Sequence, residues 1–249
     1  MEISFFEEFP TKQALDKLKM VDFPTKIYIA AHSLKEFNKF RSNLNIPLVY
    51  WVILPKWAGY WVSPFSARPP LLRALNEVRN EQIKIMLDLE NPVHAPWLYV
   101  GGLPLFWRNK RFIKEFIEDS TCEITLVELS GDENRLKFWG LHYDNTKTYV
   151  VKMVYTSLKK WRLGRSEAIL RLKKVCEDGV ACYGSRFKIG LGCIAKGVAG
   201  IEPLLLTKEL GEDLYIAKEI GVQEAIIFRL AGLNDAYIEA IKAVQKSKF

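Results

Sequence analysis

The sequence predicts an α/β chain folded as one (β/α)8 barrel over residues 1–249. Three observations carry this. Eight short apolar runs alternate with helical patterns, the length of 249 residues matches the size of such a barrel, and no GxGxxG follows the first strand. The competing architecture of the same rhythm is an open doubly wound sheet, where that glycine pattern is usual.

The elements follow in order. Residues 3–8 (ISFFEE) form a strand stopped by Pro10, and Thr11 caps the first helix. Residues 26–31 (KIYIAA) are the second strand, followed by a helix capped by Ser33. Residues 47–54 (PLVYWVIL) are the third, before a long aromatic loop and a helix over 70–79. Residues 83–90 (IKIMLDLE) are the fourth, broken by Asn91-Pro92, with a helix over 109–118. Residues 123–129 (EITLVEL) are the fifth, and the segment after Ser130 reads as an extra hairpin. Residues 148–155, 187–194 and 224–229 complete the strands, with helices over 166–177 and 203–219 and a last one capped by Asn234.

Composition narrows the function classes. Hydrophobic residues make up 49% and charged residues 26%, the balance of a folded globular chain. No apolar run has the roughly 18–20 residues that cross a bilayer, and the acidic start MEISFFEEFP is not a signal peptide, so no membrane partner and a cytoplasmic location are expected. The net charge of +7 invites nucleic acid, but the densest basic run, from Lys159 to Lys174, sits on an amphipathic helix whose solvated face explains it. Scarce glutamine and abundant charge point to a thermophilic source. Cys122, Cys176, Cys182 and Cys193 form no CxxC pair, and three histidines are scattered, so no metal, no cofactor and buried free thiols are expected.

A barrel places its chemistry at the C-terminal ends of its strands. On strand four, Asp88 and Glu90 are two residues apart and share a face, about 6–7 Å apart along the strand, with Met86 beneath them. Mutual repulsion of such a pair lifts one carboxyl pKa and keeps a glutamic acid protonated as a general acid. Glu8 closes strand one, unless its neighbour Glu7 is the inward residue. Glu128 closes strand five, Tyr155 strand six and Arg229 strand eight. Sharing one rim, these residues form a polar cup for a ligand. Trp51, Trp57, Tyr60, Trp61 and Phe65 crowd the third loop, and such rings stack on the C–H faces of sugars or simply pack a loop onto the barrel.

Asp88-Leu89-Glu90 resembles the end of the DxxDxDxE signature of the chitinase-like family 18 glycoside hydrolases. Met153-Val154-Tyr155-Thr156 resembles that family's MxYD motif, and Gly190-Leu191-Gly192 its seventh strand. The resemblance implies a barrel hydrolase acting on an oligosaccharide or glycoconjugate. Glu90 would be the acid, Asp88 its assistant and Tyr155 the group steadying the intermediate. Glu8, Glu128, Arg229, Trp51 and Trp61 would bind substrate. The substrate's N-acetyl group acts as nucleophile in that family, so one protein acid suffices. The sequence departs from the pattern at Met86, at Lys84 or its neighbours, and at Thr156, where the family carries aspartates. Two alternatives stand beside this one. The first is a non-catalytic carbohydrate-binding or interaction barrel. The second is a barrel holding a phosphorylated metabolite on the loop of Gly192, Gly197 and Gly200 around Lys196.

Overall fold

A computed structural model describes residues 1–198, 200 and 202–247, and their side chains except those of 159, 161 and 162. Lys159 and Arg162 of the basic run thus lie outside the described side chains. Eight parallel strands close in sequence order into a barrel with interleaved helices. The strands are β1 (Glu2–Glu7), β2 (Ile27–Ala31), β3 (Leu48–Val52), β4 (Lys84–Leu89), β5 (Glu123–Leu129), β6 (Tyr149–Met153), β7 (Phe187–Gly192) and β8 (Glu224–Phe228). Strands buried on both faces need continuous apolar sequence, and β2 (IYIAA) is buried at every residue. No described helix is long and apolar enough to cross a membrane.

The chain divides into two compact units, residues 1–29 with 150–249, and residues 30–149. The first contains α1 (Lys12–Asp16), α7 (Thr156–Leu163), α8 (Arg165–Tyr183), α9 (Thr207–Ile220) and α10 (Asp235–Lys246). The second contains α2 (Leu34–Asn43), α3 (Arg68–Val78), α4 (Trp97–Gly101), α5 (Phe106–Asp119) and α6 (Glu133–Trp139). Thr11, Ser33 and Asn234 each accept a hydrogen bond from a first-turn backbone N–H, as their helix-cap sequences predict.

In the first unit, Phe187 packs on Gly179 of α8, so Phe187, Ile189 and Leu191 face the helices. Register then puts Lys188, Gly190, Ser4, Phe6, Glu224 and Phe228 on the barrel side. At the start of these strands Ser4 and Tyr28 donate hydrogen bonds to Glu224 (2.7 and 2.9 Å), and Lys188 and Lys26 pair with the same carboxylate (3.1 and 2.9 Å). Burial opposes ionisation of Glu224, but Lys188 and Lys26 outweigh it and hold its pKa below the ordinary range. Polar groups at this end of a barrel serve stability.

In the second unit, Tyr50 stacks on Phe37 of α2 with ring centroids 5.0 Å apart, so Tyr50 faces the helix layer. Trp51, one residue on, is buried on the barrel side and pairs in register with Met86. The helical face of α5 that carries Phe106, Asn109, Ile113, Phe116 and Ile117 is buried, as spacings of three and four residues require.

One expected element is different. Residues after Ser130 form the helix α6 and not a hairpin. Asp132 caps it by accepting from the Arg135 N–H at 2.7 Å, and Gly140 ends it in the left-handed region at φ 64°. Asp132 and Gly140, inside the segment expected as a hairpin, are helix-terminating residues here. The thiols also divide: Cys176 and Cys193 are buried, Cys122 is half-buried and Cys182 is exposed.

Candidate functional site

The β4 carboxylates come first. Asp88 is buried on the same face as Met86 and Trp51, and Glu90, half-buried, follows the last residue of the strand on that face by alternation. The backbone carbonyl of Asp88 accepts the Val62 N–H at 3.0 Å, which ties the aromatic loop alongside β4.

Glu128 does not join them. Register pairs Leu89 with Glu128 and Asp88 with Val127, so Glu128 faces the helix layer. There it is fully buried and bonded to His142 Nδ1 at 2.8 Å. His142 Nε2 lies 3.0 Å from Asp144, which pairs with Lys137 of α6 at 2.9 Å. This chain from Glu128 to Lys137 fastens α6 to β5. Lys110 of α5 adds to it by donating to the carbonyls of Lys137 and Phe138 (2.7 and 3.1 Å), which end α6.

The aromatic loop folds inward. Tyr60, Trp61 and Phe65 are buried, while Trp57 is exposed. Trp61 packs on Tyr60 and His94, with centroids 5.4 and 5.3 Å away. Phe65 packs on Tyr99, Phe106 and Trp139. Buried Asn109 donates to the carbonyls of Pro64 and Ser66 (2.9 and 3.0 Å), which satisfies the loop backbone.

Among these elements, beyond the ends of β4 and β5, lies a cavity of about 380 Å³. Its walls include Asn91, Tyr99, Ser130, Asp132, Arg135 and Trp139. The Asn91 side-chain oxygen is buried and has no hydrogen-bond partner among the described residues. Such an oxygen costs about 1–3 kcal/mol unless a ligand or water donates to it. Ring faces, an amide, a carboxylate and a guanidinium suit a polyhydroxylated ligand, which offers both C–H faces and hydroxyls.

The sequence patterns passed over this set. Asn91 is adjacent to Glu90 and read only as a strand breaker, and Asp132, Arg135 and Trp139 lay in the supposed hairpin. The available signal was Asp132 followed by Glu133, a capped helix start.

The remaining expected residues belong to the first unit. Glu8 follows Phe6 on the barrel side by alternation, and its carboxylate accepts the Val198 N–H at 2.9 Å. Glu7 is the helix-side residue. It accepts from the Phe9 and Ala231 N–H groups (2.9 and 2.8 Å) and pairs with Arg229 at 2.5 Å. Burial raises the Glu7 pKa above its ordinary value, with Arg229 acting against that rise. Arg229, placed at the ligand rim by sequence, is thus turned to Glu7, and its guanidinium stacks 4.7 Å from the Phe9 ring. Tyr155 occupies the N-cap position of α7 without a capping side-chain bond, and its ring rests on Phe228, with centroids 5.6 Å apart. Thr156 donates to buried Asp213 and accepts from Arg165 at 2.9 Å, so it joins α7, α8 and α9.

The glycine loop after β7 holds acids of its own. The Cβ position of Gly197 is 2.9 Å from the Glu8 carboxylate and 3.1 Å from that of Glu202. Two carboxylates at this loop have the wrong sign for a phosphate. The described residues contain no cluster of metal-ligating side chains.

No protein-family model matches the sequence, and no curated protein matches it significantly. Solved structures do resemble it. A xylose isomerase domain protein from Planctomyces limnophilus superposes with a TM-score of 0.53 at 12% identity, covering 98% of this chain and 96% of that one. The PgaB (BpsB) glycoside hydrolase domain from Bordetella bronchiseptica gives 0.50 at 10% identity, covering 98% and 97%. D-psicose 3-epimerase from Clostridium cellulolyticum H10 gives 0.50 at 13% identity, covering 98% of each chain. At such identities the likeness establishes the fold: this chain is a closed (β/α)8 barrel like these three.

Proposed function

We propose that this protein is a carbohydrate-directed barrel of glycoside hydrolase-like character, with an oligosaccharide seated in the cavity beyond β4 and β5. The observation that carries the reading is the cavity walled by Asn91, Tyr99 and Trp139, with the Asn91 side-chain oxygen buried and unpartnered at its wall. Asn91 directly follows Glu90, the residue that the motif resemblance makes the general acid. Three fold neighbours named for a glycoside hydrolase or for sugar isomerisation and epimerisation agree with sugar chemistry on this architecture.

Glu90 protonates the leaving glycosidic oxygen, and Asp88, on the same face two residues back, polarises the reacting group. With a substrate N-acetyl group as nucleophile, no second protein nucleophile is required. The role of Tyr155 rests on the motif resemblance alone. Turnover of fluorogenic N-acetylglucosaminides and of reducing-end-labelled oligosaccharides tests this. Glu90→Gln is expected to abolish turnover with the fold intact, and undiminished turnover removes Glu90 as the acid.

One observation favours a second reading, binding without hydrolysis. Met86 is buried on the barrel side where the resembled signature has an aspartate, and Thr156, at another aspartate position, is committed to Asp213. Saturable oligosaccharide binding with no product from the wild type would select it.

A further inference from the structure

Residues 91–107 (NPVHAPWLYVGGLPLFW) contain no Asp, Glu, Lys or Arg. The stretch runs through α4 and a 3-10 turn (Leu103–Leu105) into α5. Its inner side supplies Tyr99 and Phe106, which pack on Phe65. Its outer side is a different surface. Trp97, Val100, Leu103 and Trp107 recur at spacings of three and four residues and are all exposed, Val100 by 76% and Trp107 by 63%. Exposed Phe138 extends this face, 6.4 Å from the Trp107 ring.

The same stripe then changes character. Arg108, Arg111 and Lys114 continue it on the exposed side of α5, and Lys110 Nζ lies 5.3 Å from the centre of the Trp107 ring. Acidic residues enter at Glu115, Glu118 and Asp119, and Glu115 and Glu118 lie 3.5 and 3.7 Å from Arg111 and Lys114 in exposed pairs that solvent screens. An uncharged apolar end, tryptophans along it and a basic collar behind it form the gradient of a segment that lies in a membrane interface.

We propose that this face docks on an anionic lipid surface. Trp97, Val100, Leu103 and Trp107 enter the headgroup–acyl boundary, and exposed Arg108 and Arg111 meet the anionic headgroups. A glycan does not account for the face, because Val100 and Leu103 offer no ring to stack on and no group to bond. The ring and polar groups that suit a sugar point to the opposite side, into the cavity. The proposal is independent of the carbohydrate reading and requires no membrane-crossing helix.

The test is sedimentation of the full chain with phosphatidylcholine vesicles, with and without phosphatidylserine, at low and high salt. Binding is expected only with phosphatidylserine and is expected to weaken with salt. Arg108→Gln with Arg111→Gln should weaken it about fivefold per cation removed. Trp97→Ser with Trp107→Ser should weaken it at least about tenfold, with unchanged circular dichroism. Absent binding, equal binding to neutral vesicles, or indifference to both variants would overturn the proposal. So would a dimer in sedimentation velocity that the Trp97→Ser, Trp107→Ser variant dissociates, since the face would then be a subunit contact.

Discussion

Glu128 stands opposite Leu89 in the β4–β5 ladder, one face away from Asp88. That single register relation separates the carboxylates of the barrel side from a carboxylate that fastens a helix. Glu128 and His142 are both buried, and through Asp144 and Lys137 they hold α6, which forms a wall of the cavity.

Glu128→Ala should therefore act on α6 and not on the chemistry at Glu90. Leaving His142 buried beside the gap costs about 1–3 kcal/mol. Hydrogen exchange at Leu136, Lys137 and Phe138 should accelerate along with this loss, and Glu128→Gln should recover part of it. Unchanged stability and unchanged exchange would show that the His142 contact does not hold α6.

Asp213 provides a pH test. Burial raises its pKa from 3.8 to about 6, although Thr156 and Arg165 both draw it down. The folded state then keeps a proton that the unfolded chain releases, so this group's contribution to stability is greatest below about pH 4. It declines as the pH rises to about 6 and is constant above that. Removing the cation with Arg165→Met should raise the pKa further and cost about 3 kcal/mol at neutral pH, because the buried carboxylate loses its partner. NMR titration of Asp213 in both proteins checks this, and a pKa in the ordinary carboxylate range would contradict it.

Gly179 in α8 is a packing glycine. A Cβ there would stand 2.2 Å from the ring of Phe187, which is wholly buried and has nowhere to turn. Alanine favours a helix by about 1 kcal/mol over glycine, but overpacking costs about 1–3 kcal/mol. Gly179→Ala should be net destabilising, read as a lower midpoint in urea. A raised midpoint would mean that Phe187 yields.

The eight strands, their order and the caps at Thr11, Ser33 and Asn234 rest on local pattern, and local pattern is what composition and spacing record. Glu128 shares the face of Ile124 and Leu126, as alternation in EITLVEL predicts, but alternation does not say which face the barrel takes. Arg229 pairs with Glu7, 222 residues away in sequence, and no local pattern in EAIIFR shows that partner. The helix α6 was hidden by its brevity, seven residues between turn formers. The cavity is not legible as a set, because Asn91, Tyr99, Asp132 and Trp139 follow two different strands and meet only through the pairing of β4 with β5.

Whether the cavity beyond β4 and β5 receives a sugar is read by residue-resolved NMR during titration with chitotetraose and with a neutral β-linked glucan oligosaccharide. Saturable shifts are expected at Asn91, Tyr99, Asp132, Arg135 and Trp139 with at least one of these probes, and their loss in Asn91→Leu. Absence of shifts with both, or shifts confined to residues outside this cavity, would contradict a sugar-binding role for it.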